Sequence, residues 1–159
     1  MKNLNIENSN ILLVGIGNCG RRDDGLGWKF ADLTRQFKAK GIDCEYRYQL
    51  QVEDVLMICR YDKVVFADAT HTTIKKGFEI RPCAPASHYY YSSHMQSPET
   101  ILYLAKELYN KTPEAYTLAI SGHNWGLGTV LSREAQENLR KAVDFFQKKF
   151  LRFINKSTG

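Results

Sequence analysis

Residues 11–27, ILLVGIGNCGRRDDGLG, constrain the fold more than any other part of the chain. The apolar run Ile11–Gly15 closes on glycines, which reads as a buried strand running into a tight turn. Gly15, Gly17, Gly25 and Gly27 let the backbone take positive φ and let another group approach closely. Two adjacent carboxylates, Asp23 and Asp24, sit in that glycine-rich loop. The loop beyond a central strand is where open α/β sheets place their ligands, so the segment predicts a site as well as a fold element.

Downstream of this segment, strand and helix patterns alternate. The periodicity predicts a helix over 24–40, burying Leu26, Phe30, Leu33 and Phe37 and stopped by Gly41, then a strand over 42–48 and a short helix over 52–59. Residues 63–67 predict another buried strand ending at Asp68, and 77–82 a fourth strand. A long tyrosine-rich loop, 83–96, leads to Ser97-Pro98, an N-cap with proline at the first helical position, and a helix to about Tyr109. Residues 116–120 give a fifth strand, and Ser132 caps a last helix to about Ile154 with Ala135, Leu139, Ala142, Phe146, Phe150 and Phe153 on one stripe. The expected fold is a three-layer α/β/α domain over 1–159, with a largely parallel five-stranded sheet flanked by helices.

Composition narrows the function classes. The 159 residues are 43% hydrophobic and 25% charged, an ordinary globular balance, and no apolar run approaches the ~20 residues of a membrane span. The N-terminal residues carry no signal-peptide core, so a cytoplasmic location is expected. Cys19, Cys44, Cys59 and Cys83 are widely spaced without a CxxC pair, which argues for free thiols over disulfides or a thiolate zinc site. The net charge of +5 draws much of its excess from Lys148, Lys149, Arg152 and Lys156, read as a solvated helix face and not a nucleic-acid patch.

The chemistry concentrates at one predicted sheet edge. If the first and third strands are neighbours at a topological switch point, Asp24 and Asp68 face one crevice. Two nearby carboxylates repel, so one pKa rises unless a cation joins them. His94, in the long loop three residues before Ser97, can supply a third group. Two carboxylate oxygens and an imidazole suit zinc, nickel or iron with positions left open. His71 and His123 could line the same crevice. Plainer roles stand beside these: Asp23 or Asp24 as a helix cap, Asp68 capping a turn with Thr70, His94 as a surface histidine, and Tyr89, Tyr90 and Tyr91 as half-buried loop anchors. Gly15-x-Gly17-x-x-Gly20 also matches a dinucleotide fingerprint, but two acids follow where a pyrophosphate would sit.

GIGNCGRRDDGLG resembles the GxGNxxxxD(D/E)xxG signature of the hydrogenase maturation peptidases, which trim a C-terminal extension from the large subunit of nickel–iron hydrogenases. VVFADA, ending its acidic motif on Asp68, SSHMQSPETILYLAKELY with His94, and GLGTVLSREAQENL are similar to the family's later motifs in order and spacing. The resemblance implies an endopeptidase whose metal-contacting trio is Asp24, Asp68 and His94. It implies nickel carried in the substrate, with zinc or another divalent metal able to occupy the purified protein, and a hydrogenase large-subunit precursor as partner, with no nucleic acid and no membrane. Many relatives have Glu at the position of Asp24, a glycine–threonine segment where this chain has Tyr48-Gln49-Leu50-Gln51-Val52-Glu53, and Glu-Pro where it has His123-Asn124-Trp125. A non-proteolytic hydrogenase assembly partner of the same fold and a nucleotide-binding α/β domain are the alternatives.

Overall fold

The computed structural model describes residues 10–37, 41–89 and 96–156. Five strands form one sheet: β1 (Ile11–Ile16), β2 (Ile42–Arg47), β3 (Lys63–Thr70), β4 (Phe78–Pro82) and β5 (Glu114–Ser121), in the order β2-β1-β3-β5-β4. The chain steps from β1 outward to β2, then crosses back to β3 on the other side of β1. That reversal opens a crevice at the carboxyl ends of β1 and β3, as the sequence predicts. β1, β2, β3 and β5 run parallel, while β4 pairs antiparallel with β5. Only residues 71–77 join β3 to β4, too few for the crossover that a parallel neighbour requires.

Every residue of β1 is buried, because both faces of the sheet are covered. Ile11 and Leu13 pack on one side with Leu26, Phe30 and Ala31 from helix α1 (Leu26–Gln36), Leu139 from α4 (Arg133–Phe145) and Phe146 just beyond it. Leu12, Val14 and Ile16 pack on the other with Val55, Ile58, Ile101 and Leu102 from α2 (Asp54–Ile58) and α3 (Pro98–Tyr109). The three-layer expectation holds. The glycines set the depth of the first layer: a Cβ on Gly27 would lie 2.3 Å from the Ala67 carbonyl oxygen and 2.5 Å from that of Ile16. Only a bare glycine lets α1 sit this close to β1 and β3.

Two details differ from the sequence expectation. The first helix is expected from Asp24; instead a 3₁₀ turn covers Arg22–Gly25 and α1 begins at Leu26, capped by no side chain. Both acids are engaged elsewhere, so neither caps the helix. The last helix keeps its cap, with Ser132 Oγ accepting from the Ala135 N–H at 3.1 Å, but contains a π-helical turn, Phe146–Phe150, before α5 (Leu151–Lys156). The wider turn sets the register back by about one residue. Ile154 therefore completes the buried stripe, and Phe153 is 58% exposed. The buried Lys63 ammonium, at the start of β3, donates to the Ile154 carbonyl, where a cation suits the carbonyl end of a helix. Ser97 caps α3 as its sequence predicts, accepting from the Thr100 N–H at 3.2 Å, and all four cysteines are free.

Candidate active site

Asp24 leaves the 3₁₀ turn beneath the end of β1. Its Oδ2 accepts from the Asn18 N–H at 3.0 Å, and its carbonyl accepts from the same N–H at 3.2 Å. Gly17, at φ +139, makes room for this: a Cβ there would lie 2.0 Å from the Asp24 carbonyl oxygen. The GIGN sequence thus folds into a cradle that holds Asp24 at the mouth of the crevice. The glycine fingerprint, by contrast, opens no helix, since α1 starts six residues beyond Gly20.

Asp68 lies in β3, one residue beyond Ala67, which pairs with Gly15 of β1. It is half-buried, and its Oδ1 accepts from the Ala69 N–H at 2.8 Å. Burial pushes its carboxyl up to about 7; the Ala69 hydrogen bond opposes that rise and the charge of Asp24 adds to it. The turn after β3 is closed by Thr70 Oγ1, which accepts from the Thr72 N–H, so Asp68 is not spent on it. A half-buried carboxyl near neutral pKa beside a second carboxylate suits proton transfer at physiological pH or capture of a cation.

Asp23, one residue before Asp24, has an unrelated task. It is completely buried, and its carboxylate accepts from the N–H groups of His123 (2.7 Å), Asn124 (2.8 Å) and Ser132 (2.8 Å) and from the Ser132 hydroxyl (2.7 Å). Burial alone would raise its pKa. The Ser132 hydroxyl and the three backbone N–H groups outweigh burial and hold the carboxyl below its ordinary range. Asp23 therefore gathers both ends of the loop between β5 and α4 onto the segment that carries Asp24. The sequence held one hint of this, the unexplained doubling of the acid.

The expected third donor, His94, lies outside the described residues, as do Tyr90 and Tyr91. The chain two residues after His94 is anchored at the same sheet edge: the buried Gln96 donates its N–H to the Leu50 carbonyl at 3.1 Å, in the loop after β2. Among the described residues no three His, Cys, Asp or Glu side chains converge, so Asp24 and Asp68 stand as a pair. His71 and His123 join no such cluster. The exposed His71 stacks on Trp125, with ring centroids 3.7 Å apart. His123 contributes its backbone N–H to Asp23. On the β2 side, Trp28 donates its indole N–H to the Arg47 carbonyl and packs against Tyr46 and Tyr48, walling a cavity of about 420 Å³. A cavity of about 590 Å³ beside β2 contains neither acid of the pair, so chemistry rather than volume marks the site. No helix of the described residues is long and apolar enough to cross a membrane.

No protein-family model and no curated protein matches the sequence. Solved structures do match the fold. The [NiFe] hydrogenase maturation protease HycI from Thermococcus kodakarensis KOD1 is 22% identical, with 87% of this chain and 90% of that one covered and a TM-score of 0.66. The hydrogenase maturating endopeptidase HybD from E. coli is 13% identical over 93% of each chain, at 0.68. A hydrogenase 2 maturation peptidase from Thaumarchaeota archaeon SCGC_AB-539-E09 is 18% identical over 89% of this chain and 98% of that one, at 0.65. At these identities the likeness shows a shared α/β/α fold across nearly the whole of each chain.

Proposed function

We propose that this chain is an endopeptidase that removes the C-terminal extension of a nickel-loaded hydrogenase large-subunit precursor in the cytoplasm. The observation that carries this reading is the Asp24–Asp68 pair, one member with a carboxyl near 7, at the switch point of a fold that hydrogenase maturation proteases share. Fold alone never assigns an activity, and the pair supplies what fold cannot.

Asp24, Asp68 and His94 are the residues that would meet the metal the substrate carries. Two carboxylate oxygens and one imidazole form a donor set of the borderline type that nickel accepts, and zinc or another divalent ion would fit the same donors in the purified protein. A bound divalent ion supplies Lewis acidity to an adjacent carbonyl or water. The protein's own part is protonic and positional. Before the metal-bearing partner arrives, Asp68 retains its proton up to near neutral pH because burial disfavours its ionised form, with the charge of Asp24 adding to the effect. A divalent ion held by Asp24 and Asp68 would offset that penalty and favour the ionised form of Asp68. Without the substrate's metal the two carboxylates and the imidazole would have nothing to converge on, so cleavage would wait for metal insertion. Asp68 can accept a proton from the attacking water and return it to the leaving amine.

The test is the intact mass of a nickel-loaded, C-terminally extended large subunit from the same genome after incubation with the protein or with Asp24→Asn. Loss of one discrete C-terminal peptide with the wild type alone is the expected result. A stable complex without cleavage would replace the peptidase by a non-proteolytic assembly partner. Equal cleavage of a nickel-free precursor would remove the metal-reading step.

A further inference from the structure

The cavity of about 420 Å³ walled by Trp28 and Tyr48 opens at the carboxyl end of β2 and contains neither acid of the pair. Arg47 closes β2 and stands in register with Ile16, the last residue of β1. Its carbonyl accepts from the Gly17 N–H at 2.9 Å and from the Trp28 indole N–H at 3.0 Å. Gly17 is the residue whose missing Cβ lets the Asp24 carbonyl approach, and Trp28 follows Asp24 by four positions. One carbonyl thus ties the cavity wall to the cradle of Asp24. The ends of β2 and β3 are two strand spacings apart, about 10 Å, which an extended chain covers in about three residues.

The lining combines ring faces with negative charge. The Trp28 and Tyr48 rings lie 5.5 Å apart between centroids at 33°, and Tyr48, packed on Trp28, is still 67% exposed. Arg47, Glu53 and Asp54 are the charged residues of the lining. The Arg47 guanidinium is already answered by Asp54 at 2.9 Å and by Glu45 at 3.6 Å. Asp54 is spent in turn, since it also accepts from the Gln51 N–H at 2.9 Å. The exposed Glu53 carboxylate makes no hydrogen bond or ion pair among the described residues. The lining therefore carries one net negative charge, on a chain whose net charge is +5. A ring face and a carboxylate attract the same class of ligand, a cation.

We propose that this cavity is a substrate subsite for a cationic side chain, arginine or lysine, of the polypeptide held at the acid pair. The stem of that side chain lies along the Tyr48 and Trp28 rings and its charge meets Glu53. Arginine suits the lining best, because a planar guanidinium stacks on a ring while its N–H groups fork to a carboxylate. An acidic side chain is repelled by Glu53, and an apolar one gains nothing from it. Tyr48 and Glu53 determine specificity and take no part in proton transfer. This inference rests on the endopeptidase reading for the identity of the polypeptide and adds to it a preference in the sequence beside the cleaved bond.

The experiment is a double-mutant cycle with the nickel-loaded, C-terminally extended large subunit, read as affinity and as cleavage. On the substrate, each residue within about six positions of the cleaved bond, twice the span above, is changed in turn, Lys and Arg to Gln and the others to Ala. On the enzyme, Glu53→Gln and Tyr48→Ala are compared with the wild type; both side chains are exposed, so the melting temperature is expected to hold. One basic substrate position is expected to cost the wild type about fivefold to tenfold, in affinity and in KM with kcat unchanged. The same change should cost almost nothing further with Glu53→Gln or Tyr48→Ala, whereas Tyr48→Phe, which keeps the ring, retains the coupling. Glu53→Lys should weaken the unaltered substrate more than Glu53→Gln does. Losses that simply add at every position, or coupling only to an apolar or acidic residue, would overturn the subsite and leave the peptidase reading standing. Coupling in affinity to a basic residue, with a wild type that never cleaves, would keep the subsite and sink the peptidase. A wild type that neither binds nor cleaves this precursor would overturn both.

Discussion

Asp23 and Asp68 are two buried or half-buried carboxylates at the same edge of one sheet, and their environments push them in opposite directions. Asp23 is wholly enclosed yet sits below the ordinary carboxylate pKa, because one hydroxyl and three N–H groups point at it. Asp68 rises to about 7, because its burial is opposed by a single N–H among the described residues, from Ala69, and the charge of Asp24 adds to the rise. Burial by itself does not decide ionisation; the number of donors aimed at the charge does. The socket around Asp23 is saturated and holds structure. The crevice at Asp68 is undersatisfied and is left ready for a proton or a cation.

That contrast can be broken most severely at Asp23. Asp23→Ala strands three N–H groups and a hydroxyl in a buried site, a loss on the order of 3 kcal/mol. The expected fall in melting temperature is about 10 °C, read by differential scanning fluorimetry. An unchanged melting temperature would mean that the loop is not held through this residue.

Asp68→Asn is expected to act in the other direction. Its carboxyl is raised from the ordinary value of 3.8 to about 7 in the folded chain, so the folded state binds the proton more tightly than the unfolded state. Folding stability from this group is present below pH 4 and is lost as pH climbs through 7. The asparagine variant should therefore unfold a few degrees above the wild type at pH 8, with the gap closing at pH 4. Thermal melts at the two pH values check this, and a variant less stable at pH 8 would contradict the environment assigned to Asp68.

Smaller effects sharpen the same comparison. Arg22→Ala removes two hydrogen bonds to exposed loop carbonyls, which water can replace, and should cost only about 1 kcal/mol. Faster amide exchange across 124–130, with the core unchanged, is its expected signature. Asp24→Asn takes away the charge that adds to the Asp68 shift. An NMR titration should find the Asp68 carboxyl lowered but still above 3.8, since burial remains its first cause.

Several features were legible in the sequence for local reasons. The β1 run, its closing glycines and the serine caps at Ser97 and Ser132 each depend on residues within a few positions. Asp24 and Asp68 could be paired in advance because a parallel sheet brings the carboxyl ends of its strands to one edge. The role of Asp23 could not be read in this way. Its partners stand 100 to 109 residues away, and no local pattern encodes them. The antiparallel placement of β4 beyond β5, and the exchange of Phe153 for Ile154 in the buried stripe, likewise lay outside local periodicity.

The sequence by itself determined the alternating α/β pattern, the glycine cradle and the two acids at one edge, because period, steric freedom and chain order are properties of neighbouring residues. Tertiary structure alone decided that Asp23 is structural, its carboxylate closing the loop between β5 and α4. It also set the proton affinity of Asp68. Those outcomes depend on donors, charges and braces that come together only when segments a hundred residues apart are folded against each other.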